Sequence, residues 1–174
     1  HGRLVIGDRR FRIVTDTHGP VHLSEVNGIT HRVSRDEGGV LRSPAPYFDL
    51  AQEHVVHVLV HHLIKRGLVT AVHDVSDGGL WTTLVEMGLP NGLGFDIVTD
   101  GEVRTDAFLF GEGQGRIVVT VAEDQENDFL DLLRTSRVPF ILLGHVTKGK
   151  LVVDDEPFGA IDDARDVYES VLPN

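Results

Sequence analysis

The 174 residues fit one domain or a compact piece of a larger chain, and 41% hydrophobic with 25% charged residues is the balance of a globular fold with a real core. A formal net charge of −11 argues against broad nucleic-acid or anionic-membrane surfaces, which need basic residues, yet leaves room for a small phosphorylated ligand held by local donors. The lack of cysteine excludes disulfides, thiolate chemistry and cysteine metal sites; no apolar run reaches the roughly 20 residues of a membrane span and no signal peptide is visible, so a cytoplasmic protein is expected.

The opening "GRLVIGDRRFRIVTDTHG" predicts two short strands joined by a turn at Gly7-Asp8. Residues 20–47 are rich in polar residues, Gly and Pro, and read as an irregular lead-in of the kind that meets a ligand or a missing partner. Asp49 then caps a helix over "LAQEHVVHVLVHHLIKRG", which stops at Gly67 after Lys65-Arg66. "LVTAVHDV" is a β-branched run and predicts a buried strand, and "GGLWTTLVEMGL" a helix ended by Pro90-Asn91-Gly92. Strands follow at "GFDIVT" and "GRIVVTVA", then an amphipathic helix at "EDQENDFLDLLRTS". "PFILLGHVT" and "KLVVD" predict a strand pair around Lys148-Gly149, and "AIDDARDVYESVL" a closing helix. This order implies an α+β sandwich with helices on a mixed sheet, residues 1–174 forming a single domain.

Two strings carry the candidate chemistry. In "HDVSDGGL" a strand runs into Asp74, Ser76, Asp77, Gly78 and Gly79, and a helix starts at once. A helix N-terminus offers free N–H groups and the positive end of the macrodipole, and glycines admit another group close to the backbone. A phosphate fits there, and the carboxylates suit one arriving with Mg²⁺. The other reading is that Ser76 or Asp77 simply caps the helix and the glycines allow tight strand–helix packing. In "FGEGQGRIVV", Glu112 and Gln114 alternate before a strand opened by Arg116 and point to one side if the strand begins early; a flexible turn with a solvated Glu112 is the other reading.

Histidines are numerous. His54, His57 and His61 lie near one helix face, with His57 and His61 at i,i+4, but no zincin glutamate and no third ligand accompany them, so no metal site is assigned. His73 reads as a strand histidine bonded to backbone. No Ser-His-Asp set, P-loop or GxGxxG element is present, and no catalytic residue is assigned.

Taken in order, "HDVSDGGL", Glu86-Met87, Gly111-Glu112, Gln114-Gly115-Arg116 and then Val138-Pro139, Gly144 and Val146 resemble the AIR-synthase-related C-terminal domain. They are most similar to the last such domain in the phosphoribosylformylglycinamidine synthase family, over residues 45–172, with "PYFDL" as lead-in and "LSEV" as a weaker echo. Gly113 departs from the serine common there. The resemblance implies a three-layer α/β/α fold, partly ferredoxin-like. It implies an ATP- and Mg-dependent ligase that converts formylglycinamide ribonucleotide to the amidine with glutamine-derived ammonia in purine biosynthesis. Its partners would be upstream ATP-binding and AIR-synthase-like domains, a glutaminase domain or subunit, and a small phosphorylated ligand, with no nucleic acid and no membrane. Asp74, Ser76, Asp77, Gly78, Gly79, Glu112, Gln114 and Arg116 are then the candidate substrate- or nucleotide-binding residues, and the chain is expected to be a C-terminal piece, inactive alone. A non-catalytic nucleotide-binding or scaffold domain, and a hydrogenase-maturation or selenophosphate-synthetase type protein, are the alternatives.

Overall fold

The computed structural model describes residues 49–171, except 102 and 137, and the backbone of six short strands between residues 2 and 42. Those six are β1 (Gly2–Ile6), β2 (Phe11–Val14), β3 (His22–Glu25), β4 (Thr30–Arg32), β5 (Ser34–Arg35) and β6 (Leu41–Arg42). After them come α1 (Leu50–Lys65), β7 (Ala71–Asp74), α2 (Gly79–Gly88), β8 (Gly94–Ile97), α3 (Thr105–Phe110) and β9 (Ile117–Ala122). The described chain closes with α4 (Glu126–Ser136), β10 (Ile141–Thr147), β11 (Lys150–Val153), β12 (Glu156–Ala160) and α5 (Ile161–Val171).

The main sheet has seven strands in the order β12-β11-β8-β10-β1-β9-β7. Only β8 and β11 pair in parallel; the other neighbours are antiparallel. The "IVVTVA" alternation of β9 shows how the layers form, because successive side chains of a strand point to opposite faces. Val118 packs with Leu80 and Leu84 of α2, Phe108 of α3 and Ile161 of α5. Val119 and Val121 pack on the other face with Leu59 and Leu63 of α1 and Phe129 and Leu133 of α4. The sheet is thus sandwiched by helices on both faces, as expected. Leu80, Ile97 and Val118 have no exposed surface, and burying each contributes about 1.5–3 kcal/mol.

Helix α1 begins where Asp49 predicts it. The Asp49 carboxylate accepts from the N–H groups of Ala51 at 2.9 Å and Gln52 at 3.2 Å, satisfying two donors that have no intrahelical partner. It ends at Gly67, whose φ is +65°.

Other local readings are corrected. β1 joins the main sheet between β9 and β10, whereas β2 pairs with β3, so the first two strands belong to different sheets; their turn at Gly7-Asp8 lies outside the described residues. The 20–47 lead-in carries short strands rather than none. β7 is an edge strand, half exposed, not a buried one. β10 and β11 do not pair: β8 lies between them. Gly94 explains the crossing. A Cβ there would run into the Lys150 carbonyl and Gly149 carbon, so only glycine lets residues 149–150 pass over the start of β8. Helix α3 and strand β12 were not anticipated. β12 follows a turn in which Asp154 and Asp155 take φ of 52° and 66°, a hairpin geometry usually signalled by glycine or asparagine.

Candidate functional site

The two candidate strings meet at the end of β7. The Val75 N–H donates to the Arg116 carbonyl at 2.8 Å, and the Gly79 N–H closes a turn onto the Ser76 carbonyl at 3.0 Å. Gly78 and Gly79 have φ of 80° and 68°, successive left-handed conformations that side chains resist. The buried Thr83 hydroxyl lies 3.2 Å from the Asp74 carbonyl and 3.1 Å from that of Gly79, so one donor ties the strand end to the first turn of α2.

Neither Ser76 nor Asp77 caps the helix. Gly78 is the N-cap residue, and its N–H donates to Glu112 Oε1 at 2.9 Å. This bond joins "SDGG" to "GEGQG". It also corrects the expected electrostatics: a carboxylate of the chain itself sits on the amide where an incoming anion was placed, favourable beside the positive end of α2. Gly79 is corrected likewise. A Cβ there would lie 2.6 Å from the Phe110 carbonyl carbon, 2.7 Å from its Cα and 2.8 Å from the Leu109 oxygen. The approach that glycine permits on its Cβ side is filled by the end of α3.

Arg116 is buried. Its Nη1 donates to the Gly111 carbonyl at 2.8 Å and its Nη2 to that of Phe108 at 3.2 Å, with the guanidinium carbon 5.9 Å from the Phe108 ring centre. It therefore faces the protein rather than a cleft. Sequence reasoning passed over a second buried group, Glu53 of α1. Its carboxylate oxygens would lie 2.5 and 2.7 Å from a Cβ on Gly115, whose φ is +70°. The signal was present: Glu53 shares the inward stripe of α1 with half-buried Val56 and buried Leu59 and Leu63, at i, i+3, i+6 and i+10.

Asp74, Ser76, Asp77 and Gln114 are exposed. Among the described residues the side chains of Ser76, Asp77 and Gln114 make no hydrogen bond. No group of three or more His, Asp or Glu side chains among the described residues is placed to hold a metal ion, so exposed His54, His57 and His61 do not form one. His73 Nδ1 lies 2.7 Å from the Asp74 carbonyl, and since a carbonyl only accepts, that nitrogen carries the proton. Its Nε2 lies 3.5 Å from Glu86, which also accepts from the Tyr168 hydroxyl at 3.2 Å. That hydrogen bond, and then the Glu86 charge, raise the Tyr168 pKa above its ordinary value. A surface cleft of about 290 Å³ lies at the other end of α2, lined by Thr70, Met87, Asn91, Leu93 and Thr120 among others, and holds none of the eight candidates.

Comparison with known proteins agrees with the motif order. Residues 25–156 match the model of the AIR synthase related protein, C-terminal domain. The phosphoribosylformylglycinamidine synthase subunit PurL of Rhizobium meliloti (strain 1021) is 36% identical over 140 residues, 80% of this chain and 19% of that protein. PurL of Symbiobacterium thermophilum is 43% identical over 113 residues, 63% of this chain and 14% of that protein. The chain thus spans about a fifth or less of the curated relatives it matches. Among solved structures, Thermotoga maritima PurL complexed with ATP aligns at a TM-score of 0.60 with 14% identity, covering 92% of this chain and 25% of that one. The same protein complexed with FGAR aligns at 0.60 and 14%, covering 92% and 27%. At that identity the likeness shows the fold. The 36–43% identity is to PurL proteins, which does not favour the hydrogenase-maturation or selenophosphate alternatives.

Proposed function

The chain belongs to the AIR synthase related protein family, as its C-terminal domain, and on that premise we propose that it serves within a phosphoribosylformylglycinamidine synthase. The whole enzyme would turn formylglycinamide ribonucleotide, glutamine-derived ammonia and ATP into the amidine in the cytoplasm, with ammonia from a glutaminase domain or subunit. One observation carries the placing of the site: the 2.9 Å bond from Gly78 to Glu112 unites the family's two motifs on one exposed wall. Asp74, Ser76, Asp77, Glu112 and Gln114 are the side chains that wall offers to a ligand.

Taken alone, the wall does not fit a nucleotide with Mg²⁺. The amide of the α2 N-cap residue holds a carboxylate, and no three metal-ligating side chains converge among the described residues. No chemical step is therefore assigned to this chain, and ATP and Mg²⁺ would be held with upstream domains of the same enzyme. The test is amide-shift mapping with ADP, with and without Mg²⁺. Expected is millimolar affinity, about −4 kcal/mol, with shifts confined to 74–78 and 112–114. Micromolar binding, or shifts centred on the Thr70–Asn91 cleft, would overturn this reading, as would turnover of formylglycinamide ribonucleotide by the chain alone.

A further inference from the structure

Arg116 touches both halves of the wall. Its carbonyl accepts from Val75 at 2.8 Å, fixing the end of β7 one residue before Ser76. Its guanidinium holds the Phe108 and Gly111 carbonyls, on either side of the Phe110 backbone that packs against Gly79. Glu112 is the next residue after Gly111. The guanidinium is nearly sealed from solvent, so these bonds face little competition from water.

We infer that Arg116 is a positioning residue: its guanidinium fork seats the 108–112 backbone so that the Glu112 carboxylate lands on the Gly78 amide. The last turn of α3 leaves carbonyls without intrahelical donors, and the fork takes one from that turn and one from the residue after it. A planar guanidinium can hold two carbonyls in fixed relation; an ammonium of similar reach is a point charge and cannot. Without the fork, the loop after α3 can lift away while the β7–β9 backbone bond at Val75 stays. The inference rests on the reading that this wall faces a ligand, but concerns how the wall is built.

The test follows the Gly78 amide by NMR across the carboxylate titration range, about pH 3 to 7. Wild type, Glu112→Gln, Arg116→Lys and Arg116→Met are compared. His73, Asp74 and Asp77 are further ionisable groups beside the elbow, and Glu112→Gln separates their influence from that of Glu112. The wild-type Gly78 amide is expected to move with pH, and Glu112→Gln to remove most of that movement. Arg116→Met and Arg116→Lys are each expected to cut it about threefold or more, as the carboxylate leaves bonding distance, while Gly67 and Thr70 amides stay in place. Full Gly78 movement in either Arg116 variant would overturn the inference. So would collapse of the whole spectrum in both, which would make Arg116 a general stability residue. Absence of ADP-induced shifts at 74–78 would instead count against the ligand-facing reading and leave the Arg116 assignment standing.

Discussion

Replacing Gly79 by alanine separates two costs that usually come together. The first is conformational: at φ +68° an L-residue loses about 1–2 kcal/mol relative to glycine. The second is steric: the new Cβ would sit 2.6–2.8 Å from backbone atoms of Phe110 and Leu109, which cannot swing aside as a side-chain tip can. Forcing an extra methyl into such a contact costs about 1–3 kcal/mol. The stiffer unfolded chain returns about 0.4–1 kcal/mol, leaving a net loss of about 2–4 kcal/mol. Gly67 supplies the control. Its φ is +65° and a Cβ there meets nothing within 4 Å, so Gly67→Ala carries the first cost alone, about 1 kcal/mol net. Urea unfolding of both variants, with m unchanged, reads the difference. A difference of about 1–3 kcal/mol is expected; equal losses, within about 0.5 kcal/mol, would refute the packing of α3 on Gly79. The same crowding makes an aspartate at 79 a packing lesion first and a charge second, so the elbow's charge is better tested at exposed Asp77.

Asp49→Ala removes both cap bonds of α1 and should cost about 1 kcal/mol in the same assay, with no loss if α1 starts elsewhere. Glu112→Ala should cost about 1 kcal/mol by uncapping α2, and Glu112→Gln less, because an amide oxygen still accepts; equal stability of wild type and Glu112→Ala would deny the cap. Tyr168 holds its proton more tightly folded than unfolded, because Glu86 raises its pKa. Its contribution to stability is therefore full below the ordinary tyrosine range and is lost as pH rises through the folded value. Phenolate absorbance in a Tyr47→Phe background should show Tyr168 ionising at lower pH once Glu86→Gln is introduced, and an unmoved curve would break the link.

Elements set by local chemistry were legible. Asp49, Gly67 and the Gly78–Gly79 elbow announced helix ends through cap and left-handed preferences, and β9 announced both faces through alternation. What was not legible depended on distant residues. Lys148-Gly149 looked like a hairpin turn because neighbouring strands usually pair, but β8 lies between them, a crossing that Gly94, more than fifty residues earlier, leaves room for. Helix α3 has six residues, too short to hold together by itself, and depends on burial of Phe108 and Leu109. At the site, the sequence did not reveal that Gly79 packs on the end of α3 or that the Arg116 guanidinium turns inward. An arginine ahead of a strand looks like a ligand contact until its fork is seen to end on two carbonyls.

The self-capped wall has a consequence for how this chain meets an anion. A phosphate approaching α2 must displace Glu112, giving up a charged hydrogen bond of about 1.5–3 kcal/mol, and then sits among Glu112, Asp74 and Asp77 on a chain of formal charge −11. A unit charge about 10 Å from another costs about 0.4 kcal/mol in water without salt. Asp74 and Asp77 alone, facing the two to three charges of ADP, thus oppose binding by about 2 kcal/mol. Raising ionic strength from about 0.01 M to 0.15 M shortens the screening length from about 30 Å to 8 Å and removes roughly half of that. Magnesium-free ADP should therefore bind the isolated chain about fivefold more tightly at the higher salt. A basic phosphate site behaves oppositely, since its attraction is what salt screens. Calorimetry or shift titration at the two ionic strengths distinguishes them. Affinity that falls several-fold with salt would place the nucleotide on a cationic surface away from Gly78 and Glu112, and the wall they form would lose its claim to the ligand.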